Sequence, residues 1–200
     1  MMDVLLLGLL GGMLALDGTS VGQFMVSRPL VAGALTGWLV GDPFTGVAIG
    51  ALLEAYLLVS FPSGGARYPE GATATVVAVA STTGGDPLGA LPLGVAMGLV
   101  WGQVGGFTVS GLRRLNGRLV PDAEGPRPER VASAHLWAIA LDGLRGVLLT
   151  LAGVLLGRWA IHLVSWDWPL QPADTRGLLL VGAAVSAGVL LRTLGGYGRL

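Results

Sequence analysis

The amino-acid sequence predicts an all-α, polytopic integral membrane protein with transmembrane helices and short re-entrant or broken helices. Of its 200 residues, 52% are hydrophobic and only 12% are charged, whereas soluble domains average roughly 25% charged residues. The mean hydropathy is +0.71, and the charges are concentrated in a few places. Such a chain has too little polar surface to cover a water-soluble globule, so the lipid bilayer is its expected environment.

Several of the apolar segments are too short to cross a membrane. In order they are roughly 4–16, 30–41, 44–61, 72–83, 88–112, 131–141, 147–164 and 177–191. A helix that crosses the hydrocarbon core needs about 20 residues, so the second and fourth segments are predicted to be half-helices or re-entrant arms. Pro- and Gly-containing turns are predicted at 41–43, 61–65 and 84–87. Broken helices of this kind commonly build substrate sites in transporters.

Glycine is abundant, with 34 residues, and it recurs four residues apart at 33–37 and 46–50. Small residues at this spacing are typical of helices whose backbones pack closely. We interpret residues 1–200 as a single membrane-embedded domain. The longest polar segment, Arg113–Arg130, contains five arginines, and the positive-inside rule predicts that it is a cytoplasmic loop.

Composition also excludes several functions. The 12 basic residues, all of them Arg, are balanced by 12 acids, so no basic surface is predicted to bind nucleic acid. The chain has no Cys, and His135 and His162 are too far apart to suggest a paired metal motif. Asp42 lies in a Gly-Asp-Pro turn, which does not fit an intramembrane aspartyl protease. The sequence therefore predicts no catalytic residue, no metal centre and no cofactor.

The most informative side chain is Glu54, which lies inside the apolar stretch 47–58. An acid at membrane depth costs roughly 2.5–3.5 kcal/mol on insertion scales, so it usually faces a partner, a cavity or a substrate. Glu54 is therefore a candidate binding residue. The alternative is a structural ion pair with an arginine such as Arg28 or Arg67.

Two further polar groups flank the short segments. Arg67 and Glu70 are three residues apart and could pair with each other, and Tyr68 between them could pack on a sugar ring. A solvated turn is the alternative. Gln23 and Arg28 precede the first short segment, where Arg28 could equally serve as an interfacial anchor.

Residues 28–37 read RPLVAGALTG and residues 41–54 read GDPFTGVAIGALLE. In order and spacing these stretches resemble the IIC subunits of the mannose/fructose/sorbose family of the phosphotransferase system. The similarity continues more weakly at 65–70 and at 141–146, and it covers most of residues 5–160.

This resemblance implies a IIC subunit that binds a hexose-like sugar together with a IID membrane subunit and carries it by an elevator-like movement. It also implies a trimer of IIC–IID pairs in the bacterial inner membrane, with a multi-pass topology. In the family, soluble IIA and IIB proteins carry the phosphoryl group, so this chain would be a permease subunit and not itself an enzyme.

Position by position, Glu54 matches the acid of a Gly-x-x-x-Glu stretch, Glu70 matches the acid after Pro, and Gln23 lies among the polar residues before Arg-Pro. With Arg67 they are the candidate substrate-binding residues. Many members have an acid just before the Arg-Pro element, but the nearest acid here is Asp17, so the identity of the sugar stays open. The sequence also stops at a shorter length than is typical, as expected of a reduced relative.

Two other functions remain open at this point. One is a non-transporting membrane sensor or scaffold of an incomplete phosphotransferase system. The other is a stand-alone transporter of a different solute, which would need no IID partner.

Overall fold

The computed structural model describes residues 2–57, 68–82, 87–119 and 128–167, and within these ranges all regular structure is helical. Six helices are described: α1 Met2–Thr19, α2 Pro29–Val40, α3 Pro43–Leu57, α4 Gly71–Thr82, α5 Pro87–Leu119 and α6 Pro128–Asp167. The all-α prediction is confirmed. The predicted apolar segment 177–191 lies outside the described residues.

The helices differ widely in length, from 12 to 40 residues. Within the described ranges, Leu91–Arg118 of α5 and Pro128–Ala160 of α6 are long and apolar enough to cross a membrane. By contrast, α2 and α4 have 12 residues each, which gives a length of about 18 Å at 1.5 Å per residue. They are too short to span the hydrocarbon core, as the sequence predicts.

The chain reverses between α2 and α3 at the predicted turn. Gly41 has a φ of 82°, and the backbone N–H groups that cap α2 reach the carbonyl oxygens of Gly37 and Trp38. Glycine adopts this left-handed conformation without the steric cost that a Cβ atom brings. The side chain of Asp42 then caps α3 by accepting a hydrogen bond of 3.0 Å from the backbone N–H of Thr45.

The two arms of this α2–α3 hairpin pack backbone against backbone. A Cβ atom added to Gly33 would lie 2.4 Å from the carbonyl oxygen of Gly46 and 2.8 Å from Cα of Gly50. A Cβ atom on Gly46 would likewise lie 2.6 Å from Cα of Gly37. The close helix contact predicted from the glycine spacing is therefore present between these two helices.

Helix α4 forms the centre of the bundle. All of its residues from Ala72 to Thr82 are buried, and it contacts each of the other five described helices. Helix α1 packs antiparallel to α6, because Gly8 faces Leu151 and Gly12 faces Val147. The buried position of α4 fixes where its first turn lies, and that turn borders the cavity described below.

Helix α6 differs from the prediction, because the two apolar segments predicted at 131–141 and 147–164 belong to one helix of 40 residues. The polar residues between them, Asp142 and Arg145, do not break it because they bond to each other one turn apart. The polar segment Arg113–Arg130 is also partly helical, since α5 continues to Leu119 and α6 begins at Pro128.

Candidate functional site

A cavity of about 510 Å³ lies where several helices end. It is bordered by the end of α1, the α1–α2 connection, the start of α2, the end of α3, the segment before α4 and one side chain of α5. Its described polar lining residues are Asp17, Thr19, Gln23, Ser27, Arg28, Glu54, Tyr68, Glu70 and Arg113. The volume falls in the range of about 300–1,000 Å³ that is usual for small-molecule sites.

Glu54 and Arg28 face each other across the hairpin on the wall of this cavity. Arg28 Nη1 lies 3.1 Å from Oε1 of Glu54, and the backbone N–H of Leu30 donates to Oε2 at 3.3 Å. The Glu54 side chain is 24% exposed and the Arg28 side chain 40% exposed. The structure thus pairs Glu54 with Arg28, one of the two arginines that the sequence offers, and both charged groups stay accessible from the cavity.

The α1–α2 connection, which carries Gln23, is held by Asp17. The backbone N–H groups of Phe24 and Ser27 donate to the two carboxylate oxygens of Asp17 at 2.7 and 2.8 Å. Gln23 and Met25 have φ angles of 54° and 65°, a conformation that costs a non-glycine residue of order 1–3 kcal/mol. The Asp17 hydrogen bonds help to offset this cost, so the shape of this wall depends on an acid at the end of α1.

Glu70 borders the cavity, but its carboxylate points into the bundle. Oε2 accepts a hydrogen bond of 2.7 Å from the Thr73 hydroxyl and lies 3.2 Å from Arg145 Nη1. The residue is only 5% exposed, and its backbone N–H donates to the Gly102 carbonyl at 2.9 Å. A Cβ atom on Gly105 would lie 2.6 Å from Oε2. Glu70 is therefore packed between α4, α5 and α6.

Arg145 bridges two carboxylates. Besides Glu70, its Nε donates to Oδ1 of Asp142 at 2.9 Å and its Nη1 donates to the Thr108 hydroxyl at 3.1 Å. The other Asp142 oxygen accepts hydrogen bonds from the hydroxyls of Thr19 and Ser20. This network joins α1, α4, α5 and α6 directly behind the cavity. It was missed by sequence reasoning, although an acid and an arginine three residues apart inside an apolar helix were a usable signal.

Arg113 and Tyr68 form the edge of the cavity on the α5 side. Arg113 Nη2 donates to the Tyr68 hydroxyl at 3.3 Å, and its guanidinium carbon lies 5.4 Å from the centre of the tyrosine ring. A cation over an aromatic face at this distance is attracted by the ring quadrupole. The ring thus orients a positive charge at the cavity edge.

The structure brings together three of the four predicted site residues, since Gln23, Glu54 and Glu70 line the same cavity. Glu70 borders it with a buried carboxylate. Arg67 lies outside the described residues, and so does any pair that it forms with Glu70. Within the described part of the chain, no three His, Asp or Glu side chains cluster in a way that could hold a metal ion.

Short helices, of which α4 is buried, lie beside two long apolar ones, and a polar cavity lies at the helix ends. This arrangement is typical of helical membrane proteins of the transporter class. Residues 1–193 match the family model described as the PTS system sorbose-specific IIC component. The chain therefore belongs to this family, and it is a membrane component of a sugar transporter of the phosphotransferase system. The resemblance found in the sequence is confirmed.

Two curated relatives carry the same description. The sorbose-specific EIIC component of Klebsiella pneumoniae is 26% identical over 185 residues, covering 89% of this chain and 68% of the relative. The protein of that name from Lacticaseibacillus casei is 35% identical over 60 residues, covering 30% of this chain and 22% of the relative.

Two solved structures share the fold. One, titled a structure of a membrane protein, has a TM-score of 0.68 at 19% identity. The other, a cryo-EM structure of the mannose transporter ManYZ with microcin E492, has a TM-score of 0.55 at 18% identity. Each match covers 96% of this chain and 78% of the other chain. At these identities the likeness concerns the fold alone.

Proposed function

We propose that this chain is the sugar-translocating IIC subunit of a mannose-type, phosphoenolpyruvate-dependent phosphotransferase system. It is a multi-pass protein of the bacterial inner membrane and binds a hexose-like sugar in the cavity of about 510 Å³. The observation that carries this proposal is the Arg28–Glu54 ion pair, which lies on the cavity wall with both side chains partly exposed.

The chemistry of this wall suits a ligand rich in hydroxyl groups. A carboxylate accepts hydrogen bonds at two oxygens, a guanidinium donates up to five, and an amide does both. Glu54, Arg28 and Gln23 supply these three groups at one cavity. Because Arg28 already holds the Glu54 carboxylate, the acceptor oxygens are oriented before the sugar arrives, which reduces the entropic cost of binding.

Glu70 and Arg67, the other two candidate residues, have different proposed roles. Glu70 supports the cavity wall, because its carboxylate is buried and bonded to Arg145 and Thr73. Arg67 is a further candidate contact on the strength of the sequence, since it lies three residues before Glu70.

The proposed partners follow from the family. A IID membrane subunit completes the permease, IIC–IID pairs assemble as a trimer, and soluble IIA and IIB proteins deliver the phosphoryl group at the cytoplasmic face. In this scheme the IIC chain positions the sugar and donates no phosphoryl group. Large apolar side chains on the outside of the helices, including Trp38, Phe44 and Trp159, are suited to contact lipid or the IID subunit.

The test is sugar binding by calorimetry to the chain purified with its IID partner, across a panel of sorbose, mannose, fructose, glucose and hexosamines. Saturable binding of one sugar, followed by its phosphorylation when IIA and IIB are supplied, would support the permease. Binding without phosphorylation would favour the sensor or scaffold. Uptake by the chain without IID would instead indicate a stand-alone transporter, and a complex that binds no sugar would contradict the proposal.

A further inference from the structure

The connection between α1 and α2, residues 20–28, forms one wall of the cavity. It supplies four of the lining residues, which are Gln23, Met25, Ser27 and Arg28. The connection leaves the end of α1, where the backbone N–H groups of Ser20 and Val21 donate to the Leu16 carbonyl at 2.8 and 2.9 Å. It then leads to Pro29 at the start of α2. Its backbone conformation therefore decides which side chains this wall presents.

The backbone of this connection is strained at two positions. Gln23 and Met25 have φ angles of 54° and 65°, a region that is unfavourable for most side chains and easy for glycine. Strained residues persist only where the surrounding structure enforces them, and they cluster at functional sites. Both Gln23 and Met25 line the cavity, so the strain coincides with the candidate site.

Asp17 supplies contacts that enforce this conformation. Its two carboxylate oxygens accept hydrogen bonds from the backbone N–H groups of Phe24 and Ser27 at 2.7 and 2.8 Å. One of these bonds lies between the two strained residues, and the other follows them. Asp17 is only 9% exposed, and hydrogen bonds to an ionised acceptor are roughly twice as strong as neutral ones. The carboxylate thus ties the strained backbone to α1.

We propose that Asp17 is a positioning residue for the sugar and that it acts through Gln23. The proposal rests on the function proposed above and assigns part of its selectivity to an acid on α1. Both Asp17 oxygens are engaged by the connection, whereas a glutamine amide offers a donor and an acceptor to a ligand. Arg28, at the other end of the connection, is held separately by Glu54 at 3.1 Å. Gln23 is therefore the lining residue whose position depends most on Asp17.

A fixed amide can distinguish sugars that differ at one hydroxyl group. Epimers of a hexose differ in the direction of a single hydroxyl, and a site built to hydrogen-bond that hydroxyl rejects a sugar that cannot make the bond. An amide that is free to move loses this discrimination, because it can follow either direction. Without the Asp17 hydrogen bonds, Gln23 can leave its strained conformation. Both the affinity and the preference among epimers then fall.

The test measures sugar affinity by calorimetry in the complex with IID for Asp17→Ala, Asp17→Asn, Gln23→Ala and the double variant Asp17→Ala/Gln23→Ala. Asn keeps one of the two acceptor oxygens, so Asp17→Asn is the milder change. Asp42→Ala is the matched control. Asp42 also accepts a hydrogen bond from a backbone N–H, that of Thr45 at 3.0 Å, but it lies in the α2–α3 turn and is not among the described lining residues.

Asp17→Ala is expected to bind the preferred sugar about tenfold more weakly, with a smaller loss in Asp17→Asn. Asp42→Ala should keep the parent affinity even though its unfolding midpoint falls. The double variant should bind as weakly as Gln23→Ala and no more weakly, because Asp17 has no amide left to position. The preference for this sugar over its epimers should fall in Asp17→Ala and in Gln23→Ala.

Additive losses in the double variant would show that Asp17 acts on the sugar independently of Gln23 and would overturn the proposal. Equal losses of affinity in Asp17→Ala and Asp42→Ala, or an equal loss for every sugar of the panel, would also overturn it, because a general destabilisation has this effect. Size-exclusion chromatography checks that each variant assembles with IID. If Asp17→Ala does not assemble, the same comparisons are made with Asp17→Asn.

Failure of the proposed function gives a different result. A parent complex that binds no sugar refutes that function and the role of Asp17 with it. A parent complex that binds a sugar, together with unchanged affinity in Asp17→Ala and Asp17→Asn, refutes the role of Asp17 alone.

Discussion

Arg145 Nη1 on α6 lies 3.2 Å from Oε2 of Glu70, a residue 75 positions earlier in the chain. The same guanidinium binds Asp142, whose other oxygen accepts from hydroxyl groups at the end of α1. The Arg145 and Glu70 side chains are only 10% and 6% exposed. This buried network links the helix ends that surround the cavity, so the shape of the cavity depends on one arginine.

The first prediction concerns this arginine. Arg145→Gln leaves the Glu70 and Asp142 carboxylates buried without their cation, which is expected to destabilise the protein by about 3–5 kcal/mol. Thermal unfolding in detergent measures the loss. Arg130→Gln is the control, because Arg130 is exposed in the first turn of the same helix.

A second substitution separates charge from packing. Adding Glu70→Gln to Arg145→Gln removes one uncompensated carboxylate, so the double variant should be more stable than Arg145→Gln alone. Equal stability of Arg145→Gln and Arg130→Gln would contradict the importance assigned to the network.

Glu54→Gln is expected to weaken sugar binding about ten- to a hundredfold, because a charged hydrogen-bond acceptor is replaced by a neutral amide. Calorimetry on the complex with IID measures the affinity, and size-exclusion chromatography checks that the complex still assembles. Asp3→Asn is the matched control, since this acid is exposed in the first turn of α1. Unchanged affinity in Glu54→Gln would leave the Arg28 pair with a purely structural role.

The α2–α3 hairpin makes a prediction about glycine. A Cβ atom on Gly46 would lie 2.4 Å from the Gly33 carbonyl oxygen, so Gly46→Ala must separate the two helices and should cost about 1–3 kcal/mol. A Cβ atom on Gly111 meets no described atom within 4 Å. Gly111→Ala, in a helix, should therefore be neutral or stabilising by up to about 1 kcal/mol. Thermal unfolding measures both variants, and equal unfolding midpoints for Gly46→Ala and Gly111→Ala would contradict the close contact between α2 and α3.

The orientation of the chain in the membrane can be tested by labelling single introduced cysteines, because the chain has no native cysteine. Arg118→Cys at the arginine-rich end of α5 should react with a membrane-impermeant maleimide only from the cytoplasmic side. Asp3→Cys should react from the outside, since α1 runs antiparallel to α6 and begins at the opposite end of the bundle. Reaction of both cysteines from the same side would contradict this topology. If Arg118→Cys reacted only from the outside and Asp3→Cys only from the cytoplasm, the cavity edge formed by Arg113 and Tyr68 would face the outside.

The sequence by itself determined the environment, the all-helical class and the family. Hydropathy and charge content predict a membrane protein, segment length separates spanning helices from short ones, and the Gly-Asp-Pro motif at 41–43 predicts the turn that the structure contains. These properties depend on composition and on neighbouring residues, so they can be predicted without knowing the tertiary contacts. Glu54 became a candidate site residue in the same way, because a charge within an apolar run can be seen in the sequence alone.

Only the tertiary structure decided which charges meet. The sequence offered Arg28 and Arg67 to Glu54; the structure shows the pair with Arg28, and Arg67 lies outside the described residues. The sequence offered Arg67 to Glu70, whereas the described partner of Glu70 is Arg145. The physical reason is that spacing along a helix fixes the face on which a side chain lies. Which residue on another helix faces that side chain depends on how helices distant in sequence pack together. In this bundle the packing follows from the buried position of α4 and from the close glycine contacts between α2 and α3.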